Sequence, residues 1–361
     1  MKRKDISFES EGDRLAATLF LPEEGPAPGI VFAHGVFEFK EDFFDYAGRL
    51  AASGFVALAL DMRGHGASEG NRYSCDMRQW TADVVNAMNY LETLPEVKQG
   101  CLGLVGLSSG GTAVLRAAAR PDPRVKAVVT LAASIQTSLS AMERAIFALL
   151  GAVGLVKRAL IGSDLRVNLV SLANQMVTAE DPAVDEHFHT APRLVDAFQH
   201  VPFPGVWNGF VVDIRGELPR IQAPTLVIHG AQDQMEPSSG AHVLYNALTC
   251  EKELYIVEGS GHLLHLDYKK DEVFALLLDW FRRHLLKGRV SEVQEEGSME
   301  DNSRAALTLK PIGAIHFSSS STGSTGRESP PSWSGPTWTI TRTASSPPVT
   351  RPAHTPSASR W

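Results

Sequence analysis

The chain has 361 residues, 43% of them apolar and 21% charged, with a formal net charge of −7. That balance excludes a fibrous or wholly disordered protein, and the negative sign excludes a basic nucleic-acid reader, which has to displace phosphate counterions. Cys75, Cys101 and Cys250 lie far apart with no CxxC pair, which excludes a disulfide scaffold or zinc knuckle and fits a reducing, cytoplasmic compartment.

In chain order, residues 6–10 and 15–21 read as two strands around the Gly12-Asp13 turn, and 29–33 (GIVFA) as a short buried strand ending at His34-Gly35. Residues 42–53 have helical spacing, with Phe44, Ala47, Leu50 and Ala51 on one side and Gly54 closing the helix. The run 55–60 (FVALAL) is continuously apolar, as a strand buried on both faces should be. A helix over 79–94 carries Val84, Val85, Met88 and Leu91 as its stripe and stops at Pro95. A strand at 102–107, a helix rich in small residues at 109–119 and a strand at 125–132 follow. Strands at 225–229 and 254–257 and an amphipathic helix at 272–286 complete the pattern. This alternation predicts an α/β fold, with a mostly parallel central sheet and helices on both faces.

Between Ser134 and Ile221 the alternation stops, with helical patches, notably 141–161, and no clear strand. An insertion of that size is most simply a helical cap over the carboxyl edge of the sheet, where open α/β sheets place ligands. Its apolar run, 145–156, has 12 residues, too few to span a bilayer. Bracketed by Arg144 and Lys157-Arg158, it reads as a buried or interfacial helix. No apolar core of a signal peptide follows Met1-Lys2-Arg3-Lys4.

Residues 318–361 hold 12 Ser, 8 Thr and 7 Pro. Such a composition cannot bury enough apolar surface to offset chain entropy. The expected organisation is a core at 1–134 and 221–287, a helical cap at 135–220, a connector at 288–317 and a disordered tail at 318–361. Because the tail carries a net charge of +3, the rest of the chain is closer to −10 than to −7.

Gly106-Leu107-Ser108-Ser109-Gly110 matches G-x-S-x-G, after a predicted strand and at the opening of a predicted helix. A sharp turn there holds the middle serine in a strained conformation with its hydroxyl projecting at the helix N-terminus. Such a serine needs a base, and the base a carboxylate, in the chain order Ser, acid, His. Asp233 follows the 225–229 strand and His262 follows the 254–257 strand, so three loops at one sheet edge can converge. His265 and Glu236 compete for the base and acid roles; His262 and Asp233 are preferred. Ser109 N–H is the expected first oxyanion donor, and Val36 N–H, in the His34-Gly35-Val36-Phe37 loop, the second. The loop 61–68 reads as architectural, with Asp61 and Arg63 able to pair and Asp83 in a similar structural role.

The set HGVFEFK, DMRGHGAS, GLSSGG, HGAQD and GSGHLLHLD resembles the α/β-hydrolase superfamily over roughly residues 5–287. The resemblance is closest to the carboxylesterase, monoacylglycerol-lipase and serine-aminopeptidase-like branch. It implies a Ser108–His262–Asp233 esterase with Val36 and Ser109 as oxyanion donors and no cofactor. Leu107 stands where many members carry His or Trp, and Glu236 where an apolar residue often precedes the proline, here Pro237. The expected substrate is a short-to-medium acyl ester, a monoacylglycerol among them, with Phe147, Leu149, Leu150 and Leu155 of the cap suited to its chain. Transient contact with a lipid interface through the cap is expected, and nucleic acid is not a partner. A peptidase releasing N-terminal residues is the alternative, needing a cap carboxylate such as Asp181, Asp185 or Glu186 for the free amine. A non-catalytic binding module is a third reading, disfavoured because no triad member is missing.

Overall fold

The computed structural model describes residues 1–137 and 139–286, so the expected connector and tail lie outside the described residues. The chain opens with an antiparallel pair, β1 (Lys2–Ser10) and β2 (Asp13–Leu21), which matches Lys2 with Leu21 and Ser10 with Asp13. Strands and helices then alternate: β3 (Ala27–Ala33), α1 (Phe44–Ala52), β4 (Val56–Leu60), α2 (Met77–Glu92), β5 (Val97–Leu107), α3 (Ser108–Ala118) and β6 (Val125–Leu131). The insertion contributes α4 (Ala141–Ile161), β7 (Leu165–Val167), α5 (Val170–Ala173), α6 (Pro182–Thr190), α7 (Pro192–Gln199), β8 (Val201–Phe203) and α8 (Trp207–Phe210). The chain returns to the core with β9 (Thr225–Gly230), α9 (Ser239–Ala247), β10 (Lys252–Val257) and α10 (Lys270–Leu285).

The main sheet has the order β1-β2-β4-β3-β5-β6-β9-β10. The pairs from β4 through β10 are parallel, and β1–β2 and β2–β4 are antiparallel. This is the expected α/β architecture, and its physical cause is two-sided burial. On β3, Val31 and Ala33 face one core layer while Ile30 and Phe32 face the other. Trp80, Val84, Met88 and Leu91 of α2 close the first layer; Tyr46 and Leu50 of α1 and Leu277, Trp280 and Phe281 of α10 close the second. Each such side chain contributes about 1.5–3 kcal/mol by leaving water.

Three expectations are corrected. The insertion does contain strands: β7 and β8 pair antiparallel, Leu165 with Phe203 and Val167 with Val201. Three residues are too few for a period-two signal, and Pro202 in β8 reads as a breaker although an edge strand tolerates it. Asp61 and Arg63 do not pair; Asp61 holds Lys40 Nζ at 2.7 Å, while Arg63 Nη2 meets Asp83 Oδ1 at 2.8 Å and Nη1 meets Asp13. Finally, α4 has the expected span, framed by a Ser140–Glu143 capping box and by Gly162 at φ 74°. Yet only Phe147 and Leu150 of its named apolar residues pack inward, whereas Leu149 and Leu155 are 65% and 56% exposed.

Candidate active site

The carboxyl ends of β3, β5, β9 and β10 bring the candidate residues to one edge of the sheet. At the end of β5 the backbone turns straight into α3, and Ser108 adopts φ 51°, in the left-handed region that side chains avoid. The turn needs glycine at both 106 and 110: a Cβ on Gly110 would overlap the carbonyl oxygens of Ala33 and His34, and one on Gly106 the carbonyl of Gly110. The first turn of α3 leaves its N–H groups, Ser109's included, without intrahelical acceptors.

The loop after β3 lies beside this serine. Phe37 takes φ 67°, Glu38 N–H donates to Gly35 O at 3.2 Å, Gly35 N–H donates to Glu38 Oε2 at 2.6 Å and Phe37 N–H donates to His65 Nε2 at 3.3 Å. Val36 N–H is not spent in this turn. A methyl group on Gly35 would overlap Glu38 Oε2 and lie 3.3 Å from Ser108 Cβ, so the Glu38 carboxyl sits next to the serine.

His262, in the loop after β10, places Nδ1 2.8 Å from Asp233 Oδ2, and both side chains are buried. Asp233 Oδ1 accepts the N–H groups of Met235 and Glu236, each at 2.9 Å. Burial disfavours the Asp233 charge, but the charge of His262 and the hydrogen bonds from His229, His262 and Glu236 N–H hold the carboxyl well below its usual range. Burial likewise lowers His262, yet Asp233, by charge and hydrogen bond, and then Glu38 and Glu236 raise it above the ordinary imidazole value. Asp233 and His262 are thus brought together as a buried pair. Among the described residues no hydrogen bond joins Ser108 Oγ to His262 Nε2, a contact that commonly tightens only around substrate. Glu38 flanks both: it neighbours Ser108 through Gly35 and feels the charge of His262.

The competing residues have other surroundings. His265 is buried, stacks on Phe43 at 4.6 Å and has neither ring nitrogen hydrogen-bonded; burial and the charge of His262 push its pKa down to about 3. Glu236 bonds the Ser134 side chain, and burial raises its carboxyl. Asp181 caps α6 through Ala183 N–H, and Asp185 accepts Thr178 N–H at 2.8 Å. No group of three or more His, Cys, Asp or Glu among the described residues is placed to hold a metal ion.

Sequence reasoning missed three residues that shape the site. Glu38 is one; its signal was an acidic residue in an otherwise apolar loop following a buried strand. His229 is the second: Nε2 lies 3.2 Å from Asp233 Oδ2 and 2.7 Å from Glu236 O, and its sequence signal was a polar side chain ending a buried strand. Asp267 is the third. Its Oδ2 accepts Gly261 N–H at 2.7 Å, Glu180 N–H at 3.0 Å and Ser260 Oγ–H at 3.2 Å; its Oδ1 accepts Tyr268 N–H at 2.8 Å and Asp181 N–H at 2.9 Å. With Leu263 N–H donating to Thr178 O at 3.0 Å, the histidine loop and the 178–181 segment of the insertion form one hydrogen-bonded unit.

Residues 25–269 match the family described as serine aminopeptidase, S33. The chain is 25% identical over 294 residues to a monoacylglycerol lipase of Mycolicibacterium smegmatis, covering 78% of this chain and 98% of that protein. A thermostable monoacylglycerol lipase of Bacillus sp. is 24% identical over 270 residues, covering 73% and 94%. Among solved structures, the α/β hydrolase GrgF from Penicillium sp. superposes with a TM-score of 0.69 at 22% identity, covering 79% of this chain and all of that one. The family match spans β3 to β10 of the main sheet, the serine turn, the insertion and both loops that carry Asp233 and His262; the chain belongs to the serine aminopeptidase, S33 family of hydrolases and has the α/β-hydrolase fold.

Proposed function

We propose that the protein is a serine hydrolase that cleaves carboxylic esters of short-to-medium acyl chains, monoacylglycerols among them, through an acyl-enzyme on Ser108. The observation that carries the reading is the buried His262 Nδ1–Asp233 Oδ2 bond of 2.8 Å at the same sheet edge as a serine at φ 51°. In the proposed cycle Ser108 Oγ attacks the ester carbonyl and His262 Nε2 takes its proton. The N–H groups of Val36 and Ser109 hold the oxyanion. His262 then protonates the departing alcohol, and water hydrolyses the acyl-enzyme. Asp233 orients the imidazole and stabilises its charged form.

An apolar acyl chain is supported by a run of aromatic contacts. Phe37 of the loop after β3 meets Phe198 at 4.7 Å and Phe210 at 6.3 Å, and Phe210 lies 6.5 Å from Phe147 of α4. The outward face of α4 is the proposed contact with a lipid interface. It exposes Met142, Ile146, Leu149, Val153 and Leu160, and its apolar stretch ends in cations at Arg144, Lys157 and Arg158. Arg144 suits an anionic headgroup, whereas Arg158 is paired with Asp164 and Lys157 Nζ donates to Asp164 O at 2.8 Å. No helix among the described residues is long and apolar enough to cross a membrane. Free Cys75, Cys101 and Cys250 support a reducing, cytoplasmic setting.

A fluorophosphonate probe should label the pure folded protein at Ser108 and should not label the Ser108→Ala variant. Failure to label the folded wild type overturns the reading. The peptidase alternative is favoured by the family description alone. Two of the three acidic residues it would use, Asp181 and Asp185, already hold backbone N–H groups. Hydrolysis of nitrophenyl esters against aminoacyl anilides separates the two.

A further inference from the structure

The acid of the Asp233–His262 pair is contacted by a second histidine. His229 is the fifth residue of β9 and its side chain is buried. Its Nε2 faces two oxygens at once, Glu236 O at 2.7 Å and Asp233 Oδ2 at 3.2 Å. A peptide carbonyl can only accept, so Nε2 must carry hydrogen and donate. The same N–H is then shared with the carboxylate oxygen that His262 uses.

The two acceptors belong to one tight turn. Asp233 Oδ1 is held by Met235 and Glu236 N–H groups, and the far side of that turn, Glu236 O, is held by His229. The backbone donors therefore fix one carboxylate oxygen, and His229 ties both the turn and the second oxygen to the end of β9. Without this donor, Glu236 O would lose its partner, and Asp233 Oδ2 would keep His262 alone.

We propose that His229 is a positioning residue of the hydrolytic site: by donating from Nε2 to Glu236 O and Asp233 Oδ2, it aims the Asp233 carboxylate at His262 and limits how strongly that carboxylate binds a proton from it. The inference rests on the proposed roles of Ser108, His262 and Asp233. A carboxylate relieved of one donor is a stronger partner for an imidazolium, so loss of His229 stabilises protonated His262. Catalysis needs neutral His262 in the free enzyme, and the acid limb of kcat/KM moves to higher pH. The other titratable groups facing His262 are Glu38, Glu236 and His265, and they are unchanged in the variants below.

The test uses the full chain with a nitrophenyl ester, comparing wild type, His229→Phe and His229→Gln. Folded fraction is followed by circular dichroism, and Ser108 labelling by fluorophosphonate. In His229→Phe we expect a loss in kcat/KM of about tenfold, carried by kcat with KM nearly unchanged, as for one lost hydrogen bond to a charged group. We also expect an acid limb raised by about half a pH unit. His229→Gln, which restores an N–H donor, should recover most of both. The proposal is overturned if the acid limbs of His229→Phe and wild type coincide. It is also overturned if the loss only tracks the folded fraction, or if Gln performs no better than Phe. Failure of the parent reading looks different: wild type itself would then neither hydrolyse the ester nor take up the probe.

Discussion

Replacing Glu38 by glutamine should change the pH dependence of stability. The side chain is only 4% exposed; Oε2 accepts Gly35 N–H at 2.6 Å, while Oε1 has no hydrogen-bond partner and lies 4.0 Å from His265 Nε2. Burial, reinforced by the nearby Asp42, pushes its pKa from 4.5 up to about 8, against the pull of His262 and the Gly35 N–H. In the unfolded chain the same carboxyl ionises near its ordinary value, 4.5. Between those two pH values the native protein therefore keeps a proton that the unfolded chain has released. Stability falls as pH rises through that window, by at most about 1.4 kcal/mol per pH unit. Below pH 4.5 the two states hold the same proton, and above about pH 8 the full cost of the buried charge is felt. Glutamine keeps an oxygen for Gly35 N–H and cannot ionise. Urea unfolding should then show the Glu38→Gln variant gaining about 2–4 kcal/mol on wild type between roughly pH 5 and pH 8.5, with equal m-values. A difference that stays flat across this range refutes the reasoning, because it would mean that Glu38 titrates alike in both states.

Three further outcomes are expected. Asp233→Asn removes the charge that orients His262 and should lower kcat/KM for a nitrophenyl ester by about 10³–10⁴-fold while the protein stays folded. Gly110→Ala puts a methyl group into the carbonyl oxygens of Ala33 and His34; thermal unfolding should show a loss of about 2–4 kcal/mol. The paired change Leu149→Glu and Leu160→Glu alters side chains that are 65% and 79% exposed. It should weaken co-sedimentation with anionic vesicles about tenfold or more and leave hydrolysis of a water-soluble ester within about twofold. Unchanged sedimentation would remove α4 as the lipid contact.

The sheet was legible because its strands are buried on both faces: FVALAL and GLVGL are continuous apolar runs that few other structures need. The family branch was legible from five motifs in order, and the match over 25–269 agrees with it. Less could be read where the signal is not local. β7 and β8 are three residues each and exist because they meet one another, a fact that neither segment carries alone. Lys40 lies 21 positions before Asp61, so its pairing with Asp61 instead of Arg63 depends on how the loop after β3 folds back. Around the site, Ser108, Asp233 and His262 stood out by position after strands. Glu38, His229 and Asp267 act through backbone N–H and C=O groups or other side chains, and a sequence motif records none of those partners. The inward or outward orientation of Leu149 and Leu155 was likewise invisible, since an all-round apolar helix has no face that periodicity can pick out.

Asp267 has a mechanical meaning. One carboxylate gathers donors from Gly261 and Ser260 beside His262 and from Glu180 and Asp181 in the insertion. A displacement of the 180–181 segment would drag Gly261, and with it the neighbouring His262, away from Asp233. The insertion is tied to the core elsewhere too: Gly205 O accepts Cys75 N–H at 2.9 Å and Ser74 Oγ–H at 2.8 Å, and Arg166 Nη2 donates to Asn71 Oδ1 at 3.1 Å. α4, by contrast, holds Gly154 as its single buried residue. The insertion, in that sense, is hung on the loop that carries His262, and α4 is the helix that presents its apolar face outward.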